Sequence, residues 1–424
     1  MNRFIFTLTF LLIIHVVPAQ EQQIDRNTFN LHFQQGYTDY AQQDYQGFLD
    51  HMLAAYEINP ASYNVIYNIS CGYSLTGQHD KAINTLNKIA EEKGIYFETG
   101  NDSDFDAIRE LEGYKDFKAK ADKMNIPINT SELFFASQQI DFSTEGMAYD
   151  PTMDRFFFGS MRNGTIMTVD VEGNLLQFTE IRHDDKLLPV LGLEVDSKRN
   201  LLWAVGRLNS QEHGRMSGAF GFDLQTGEQK HAFVLPKDSE HTGFNDLTVS
   251  NNGDIYLTGG PLYIVKEGTS NPVPWPHGEV TGNANGICFS DDESTLFVAD
   301  YVLGIFAIDM ASGKVQLIKA PENLPTVAID GLYFYNGSLV GVQNGIPPWR
   351  ALQFYLSDDY SQIMDHRIIE RNNTKLLTAM TGAIVEDDFF MIGFGAGPTS
   401  RPQFISGWGT VNLGPTIILK ALLK

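Results

Sequence analysis

A strand-and-turn signature that recurs at an interval of roughly 40–52 residues constrains this chain more than any other feature. Its clearest copy spans 282–318, where apolar runs at 287–289, 296–299, 304–308 and 315–318 alternate with turn clusters such as Ser290-Asp291-Asp292-Glu293 and Ala311-Ser312-Gly313. Short apolar or alternating runs between turn residues read as strands. Four such strands form a small sheet that cannot bury both faces alone, so like units must stack against it. Further copies carry Glu145-Gly146, Leu191-Gly192, Asn245-Asp246, Asp330-Gly331 and Thr381-Gly382 at corresponding places. Six units of this length predict a mainly β fold, a six-bladed β-propeller over 132–424, preceded by a small α-helical domain. Apolar runs at 133–136 and 416–422 are available to pair and close the ring, which removes exposed sheet edges.

The first residues read as an address. Asn2-Arg3 precedes an apolar run over 4–17 and the small-residue site Val17-Pro18-Ala19. Residues 1–19 are therefore expected to be a signal peptide, and the mature chain secreted or periplasmic, with no membrane association after cleavage. A membrane anchor is the competing reading, but the run is short for a span and glutamines and acids follow at once. No Cys follows the cleavage point, so a bacterial-type lipid anchor is not expected.

From about 29 to 124 the texture is helical. The segment 67–83 resembles a tetratricopeptide repeat, with Ile69, Tyr73, Gly77, Ala82 and Leu86 at its packing positions. Ser70 and Phe48 depart from the usual Gly and Ala of that pattern. Such repeats present a groove to peptides, so this region either binds a protein partner or docks on the propeller. The stretch 126–129 reads as the linker.

The formal charge of -22 argues against nucleic acid and anionic lipid as partners and leaves room for a cation. The two cysteines, Cys71 and Cys288, fall in a helix and a blade strand, so they read as small buried hydrophobes rather than a disulfide.

In a propeller the first strand of each blade lines the central channel, and several blades can aim one side chain each at a common point. Glu145, Asn245, Asn285 and Asp330 occupy that place in four blades. Any one of them is explained by a solvated turn. Four in register, all hard oxygen donors, predict a site for calcium or another divalent cation rather than zinc. The second and sixth blades carry Gly192 and Gly382 instead, which predicts an open sector for a ligand.

The motifs Glu145-Gly146, Phe244-Asn245-Asp246, Asn285-Gly286-Ile287 and Ile329-Asp330-Gly331-Leu332 resemble those of the senescence marker protein/gluconolactonase family and the related paraoxonases. The resemblance covers about 140–415. It implies a calcium ion at the top of the propeller, ligated by Glu145, Asn285 and Asp330, with Asn245 ligating the ion or holding substrate. It also implies hydrolysis of lactones or related small esters. Gly146 stands where paraoxonases carry an acidic ligand of a second, structural calcium, so one ion is expected. A paraoxonase-like His pair is missing. His241 is the nearest candidate base, although a lone loop His is more often a surface residue. The stretch 330–349 also resembles exported bacterial propellers that carry the same helical repeats and whose activities are mostly unassigned.

Two readings follow. One is an exported calcium-dependent hydrolase in which Asp330, or His241, serves as general base. The other is a non-catalytic calcium-bound propeller scaffold whose helical repeats and rim bind a protein or ligand.

Overall fold

The computed structural model describes residues 26–424 apart from 61, 141, 170–173, 211–213, 237–242, 260, 276–282, 377 and 395–413. The expected cleavage site Val17-Pro18-Ala19 and the candidate base His241 lie outside the described residues.

Each repeat folds into an antiparallel meander whose strands pair in chain order. The innermost strands of blades 1 to 6 are Thr144–Asp150, Val190–Asp196, Leu247–Val249, Ala284–Phe289, Ile329–Tyr335 and Thr378–Val385. Successive inner strands are neighbours, and the sixth lies against the first, so the ring closes. Blade 6 is completed from the other end of the domain. Its third strand, Pro415–Leu422, pairs with Glu132–Ile140, placing Leu133 opposite Leu419 and Ala136 opposite Ile417. The two apolar ends thus meet as their sequences predict, and neither is left as an open edge.

The core is shared between blades. Phe157 and Ile166 of blade 1 pack with Leu193, Leu202 and Phe220 of blade 2, all nearly or fully buried. Phe297 and Ile305 of blade 4 pack likewise with Leu332, Leu352 and Phe354 of blade 5. Burying one such side chain is worth about 1.5–3 kcal/mol, and a lone blade would leave one of its faces in water.

Among the described residues five α-helices precede the propeller: α1 Arg26–Ala41, α2 Tyr45–Ile58, α3 Tyr63–Leu75, α4 His79–Lys93 and α5 Glu112–Met124. Asp44 caps α2 by accepting from the Gly47 N–H at 3.0 Å. Their own core contains Phe48, Leu49, Met52, Ile69, Leu86 and Phe117. Helix α4 stops at Gly94, which adopts φ +62°. A side chain there would also strike the Asn323 carbonyl of the propeller.

That last contact belongs to a docking interface. Ile89 and Ile95 form one apolar cluster with Val327, Ala328 and Ile346, and Tyr63, Ile66, Phe97 and Tyr301 pack around it. The Tyr96 N–H donates to the Pro347 carbonyl at 3.3 Å. The stretch read as a linker is held as well. Ile128–Asn129 joins blade 5 as an edge strand, opposite Arg371 and Glu370. Its backbone groups find partners in the sheet instead of water, which makes a strand more favourable than a free tether. Among the described residues no helix is long and apolar enough to cross a membrane.

Candidate active site

The pairing of inner and second strands breaks register in blades 1, 2, 4, 5 and 6, and in blades 1, 4 and 5 the break brackets a candidate oxygen donor. In those three the shifts fall between Thr144 and Met147, Ala284 and Ile287, and Ile329 and Leu332. Such a break re-aims a side chain that a regular ladder would point elsewhere. Glu145, Asn285 and Asp330 lie within these three breaks. The glycines that follow are steric necessities. A Cβ on Gly286 would come within 2.5 Å of the Asp330 carbonyl oxygen and of the Leu332 nitrogen, and one on Gly146 would run into the Leu191 carbonyl. Neighbouring inner strands approach so closely here that only bare backbone fits.

Three of the four candidates converge. Asn285 of blade 4 hydrogen-bonds the Asp330 carboxylate of blade 5. Glu145 of blade 1 lies in the field of that same carboxylate. Both acids are buried, at 9% and 7% exposure. Burial pushes Glu145 well above the usual carboxylate range and Asp330 adds to the rise, while the Arg207 charge opposes it. Burial carries Asp330 up to about 6, held back by hydrogen bonds from Asn344 and Asn285. Asn245 is placed differently. Its carbonyl accepts from the Gly192 N–H at 3.1 Å, stitching blade 3 to blade 2, and its N–H donates to the Thr258 carbonyl within blade 3 at 2.8 Å. Its side-chain amide is half-buried.

Several participants carry no signal in the repeat. Asn344, after the second strand of blade 5, donates through Nδ2 to Asp330 Oδ2 at 2.6 Å and to the Ala379 carbonyl at 3.1 Å. Its Oδ1 accepts from the Tyr301 hydroxyl at 2.9 Å. Both ends of the amide are thus committed, which fixes its orientation. Arg207, in blade 2, donates to the Phe244 carbonyl at 3.4 Å and brings positive charge toward Glu145. Asp246, beside Asn245, is raised to about 7 by burial and by the Asp330 charge, against a hydrogen bond from the Leu247 N–H at 2.9 Å. Asp246 follows Asn245 in the same motif, one position beyond the place the other blades share.

Gly192 and Thr381, the neighbour of Gly382, line the cavity described below, although the backbone at both glycines is crowded. A Cβ on Gly192 would meet the Asp246 carboxylate, and one on Gly382 the Phe390 carbonyl. Thr381 Oγ1 donates to the Glu145 carbonyl, and the Gly382 N–H donates to the Tyr333 hydroxyl at 2.6 Å. Glycine is present in these blades because neighbours press on its backbone.

Further along the inner strands lies a cavity of about 350 Å³ to which all six blades contribute, and Glu145, Asn245, Asn285 and Asp330 are not part of its lining. Glu194, Asp246, Cys288, Tyr333 and Thr381 are among its lining. Glu194 Oε1 accepts from Thr248 Oγ1 at 3.3 Å and from the Val249 N–H at 3.2 Å, and burial still drives its carboxyl up to about 8.

No family model matches this chain, and no curated protein matches it. Among solved structures it is similar to a gluconolactonase from Xanthomonas campestris, with 16% identity over 66% of this chain and 86% of that one, at a TM-score of 0.46. A putative oxidoreductase (glucose dehydrogenase) from Thermus thermophilus is similar at 14% identity, covering 68% of this chain and 98% of that one, also at 0.46. BamB from Moraxella catarrhalis is similar at 12% identity over 66% and 83%, at 0.40. Scores this low carry no argument about chemistry, and the propeller stands on its own strand pairings.

Proposed function

We propose that this protein is an exported, calcium-dependent hydrolase of lactones or other small esters, working at the mouth of the propeller channel. The observation that carries the reading is the meeting of Glu145, Asn285 and Asp330, from three separate blades, at three breaks in strand pairing. Two buried carboxylates in each other's field repel when both are ionised, and a cation between them relieves that repulsion. The donors are all oxygens, which suits calcium and disfavours zinc.

Glu145, Asn285 and Asp330 would hold the ion, and Asn245, on the adjoining rim, would ligate it or hold substrate. The ion, when bound, polarises a carbonyl oxygen and acidifies water. Asp330 is the group placed to take up a proton, and Asn344 and Asn285 hold its carboxylate still for that task. Arg207 can receive negative charge developing on the side of Glu145. His241 stays a proposal from sequence only. The helical pairs α1–α2 and α3–α4 are read as tetratricopeptide-like units, and export through residues 1–19 is tested by the N-terminal sequence of secreted protein.

The decisive experiment is hydrolysis of a panel of lactones and aryl esters by the purified chain, with chelator and after restoring calcium. Turnover that vanishes with chelator and returns with calcium supports the hydrolase. Calcium binding without turnover of any substrate leaves the scaffold reading in its place.

A further inference from the structure

Arg350 is 5% exposed and Arg371 8% exposed, and neither forms an ion pair among the described residues. They stand directly opposite each other across the third and fourth strands of blade 5. Directly opposed residues share one face of the sheet, so two guanidinium groups are buried side by side. Glu370, next in the chain, faces the other way, opposite Ala351. Its two oxygens are already taken, by the Ser131 N–H at 2.6 Å and by Asn373 Nδ2 at 2.9 Å.

The bonds of Arg350 leave capacity unused. Arg350 Nε donates to Gln343 Oε1 at 2.6 Å, while its Nη2 is buried with no partner. Arg371 Nε donates to the Ile126 carbonyl at 2.9 Å. A buried donor without an acceptor is unfavourable, and two like charges without a counter-charge are more so. Burial and the Arg371 charge together lower Arg350 to about 10. Proteins keep guanidinium groups buried where a planar, two-toothed partner sits between them.

We propose that Arg350 and Arg371 form a buried binding site for a small oxyanion, of carboxylate or phosphate type, at the seam between the helical region and blade 5. The site is distinct from the channel mouth and does not depend on the hydrolase reading. Its position gives it a structural consequence. Arg371 holds the segment leading out of α5 through Ile126, and Arg350 holds Gln343, whose Nε2 donates to the Pro325 and Val327 carbonyls at 2.9 and 2.7 Å. An anion bound to both arginines ties the docking interface together from behind.

The test uses the full chain, kept in chelator so that calcium phosphate cannot form. Inorganic phosphate, sulfate, acetate and chloride are titrated separately by calorimetry, and thermal midpoints are recorded at low millimolar anion. At least one oxyanion should bind with saturation and raise the midpoint, and chloride should do neither; phosphate against acetate tells which chemistry the site takes. R350K and R371K should each weaken that binding by about tenfold or more, because a lysine cannot offer the planar fork. The double variant R350M/R371M should be more stable than the parent without anion and respond to none. This variant also separates site binding from general salting-out by sulfate. A parent that binds no oxyanion, its Nη2 satisfied by buried water, overturns the proposal. So does an unchanged response in the double variant, or in R371K should the Arg350 variants fail to fold.

Discussion

The mouth of the channel and the cavity further along the inner strands both hold carboxyls driven far above their ordinary range, yet they differ in what surrounds those groups. At the mouth, Glu145 and Asp330 come from different blades, lie in each other's field, and are braced by the amides of Asn285 and Asn344. In the cavity, Glu194 is anchored by Thr248 and Val249 of a single neighbouring blade, with the Cys288 thiol near it. Burial is the leading cause in both places. A raised carboxyl therefore does not by itself mark chemistry. What sets the Glu145–Asp330 pair apart is the bracing of the Asp330 carboxylate by two side-chain amides, Asn285 and Asn344.

The comparison breaks most readily by removing charge at the mouth. The double variant E145Q/D330N should lose calcium binding by calorimetry and all chelator-sensitive turnover, whereas E194Q should retain both. If E194Q loses calcium and the double variant keeps it, the two regions have exchanged roles.

A smaller effect is expected one step back from the ion. Asn344→Ala removes a hydrogen bond to a charged group, worth about 1.5–3 kcal/mol, without removing any proposed ligand. Turnover should fall about tenfold to a hundredfold, with calcium affinity changed less. Tyr301→Phe frees only the far end of that amide and should give a milder form of the same defect. Equal losses of affinity and turnover would make Asn344 part of the ligand set.

The pH response separates the regions further. Glu145, Asp330, Asp246 and Glu194 all have folded-state values raised above those of an unfolded chain. The folded state then holds protons that the unfolded chain releases, so stability is greatest in acid and declines as pH climbs toward the raised values. For Glu194 that window runs from its ordinary value of 4.5 to about 8. Chelated protein should lose thermal midpoint steadily across it. Saturating calcium should erase the share owed to the mouth, and Glu194→Gln the share owed to the cavity. A slope that calcium removes completely would place Glu194 in the ion's reach. The smallest change is expected of Cys288→Ser, a thiol among the cavity lining, which should leave turnover and calcium binding as they are.

The propeller and its ring of glycines were legible because every blade must solve the same packing problem at the same point in its repeat. Glu145, Asn285 and Asp330 share that point, and so stood out together. Arg207 and Asn344 reach the mouth from second strands and the loop beyond them, at no common offset from the inner-strand motif, so periodicity could not reveal them. Gly192 does line the cavity, but the Asp246 carboxylate and Phe390 carbonyl that press on Gly192 and Gly382 come from positions a one-dimensional reading does not bring together. The docking of the helices was likewise hidden. Ile89 and Ile95 look like ordinary helix-core residues until Val327, Ala328 and Ile346 are brought against them.

The pairing of Glu132–Ile140 with Pro415–Leu422 has a consequence in time. A growing chain makes the first of these strands early and must leave it without its partner while five blades and most of the sixth are produced. Until the last strand arrives the ring is a crescent, with blade 1 and blade 6 apart. Thr381 cannot then reach the Glu145 carbonyl, and Glu145 cannot settle beside Asp330. That meeting exists only in the finished circle, so an incomplete chain carries Glu145 and Asp330 without bringing them together.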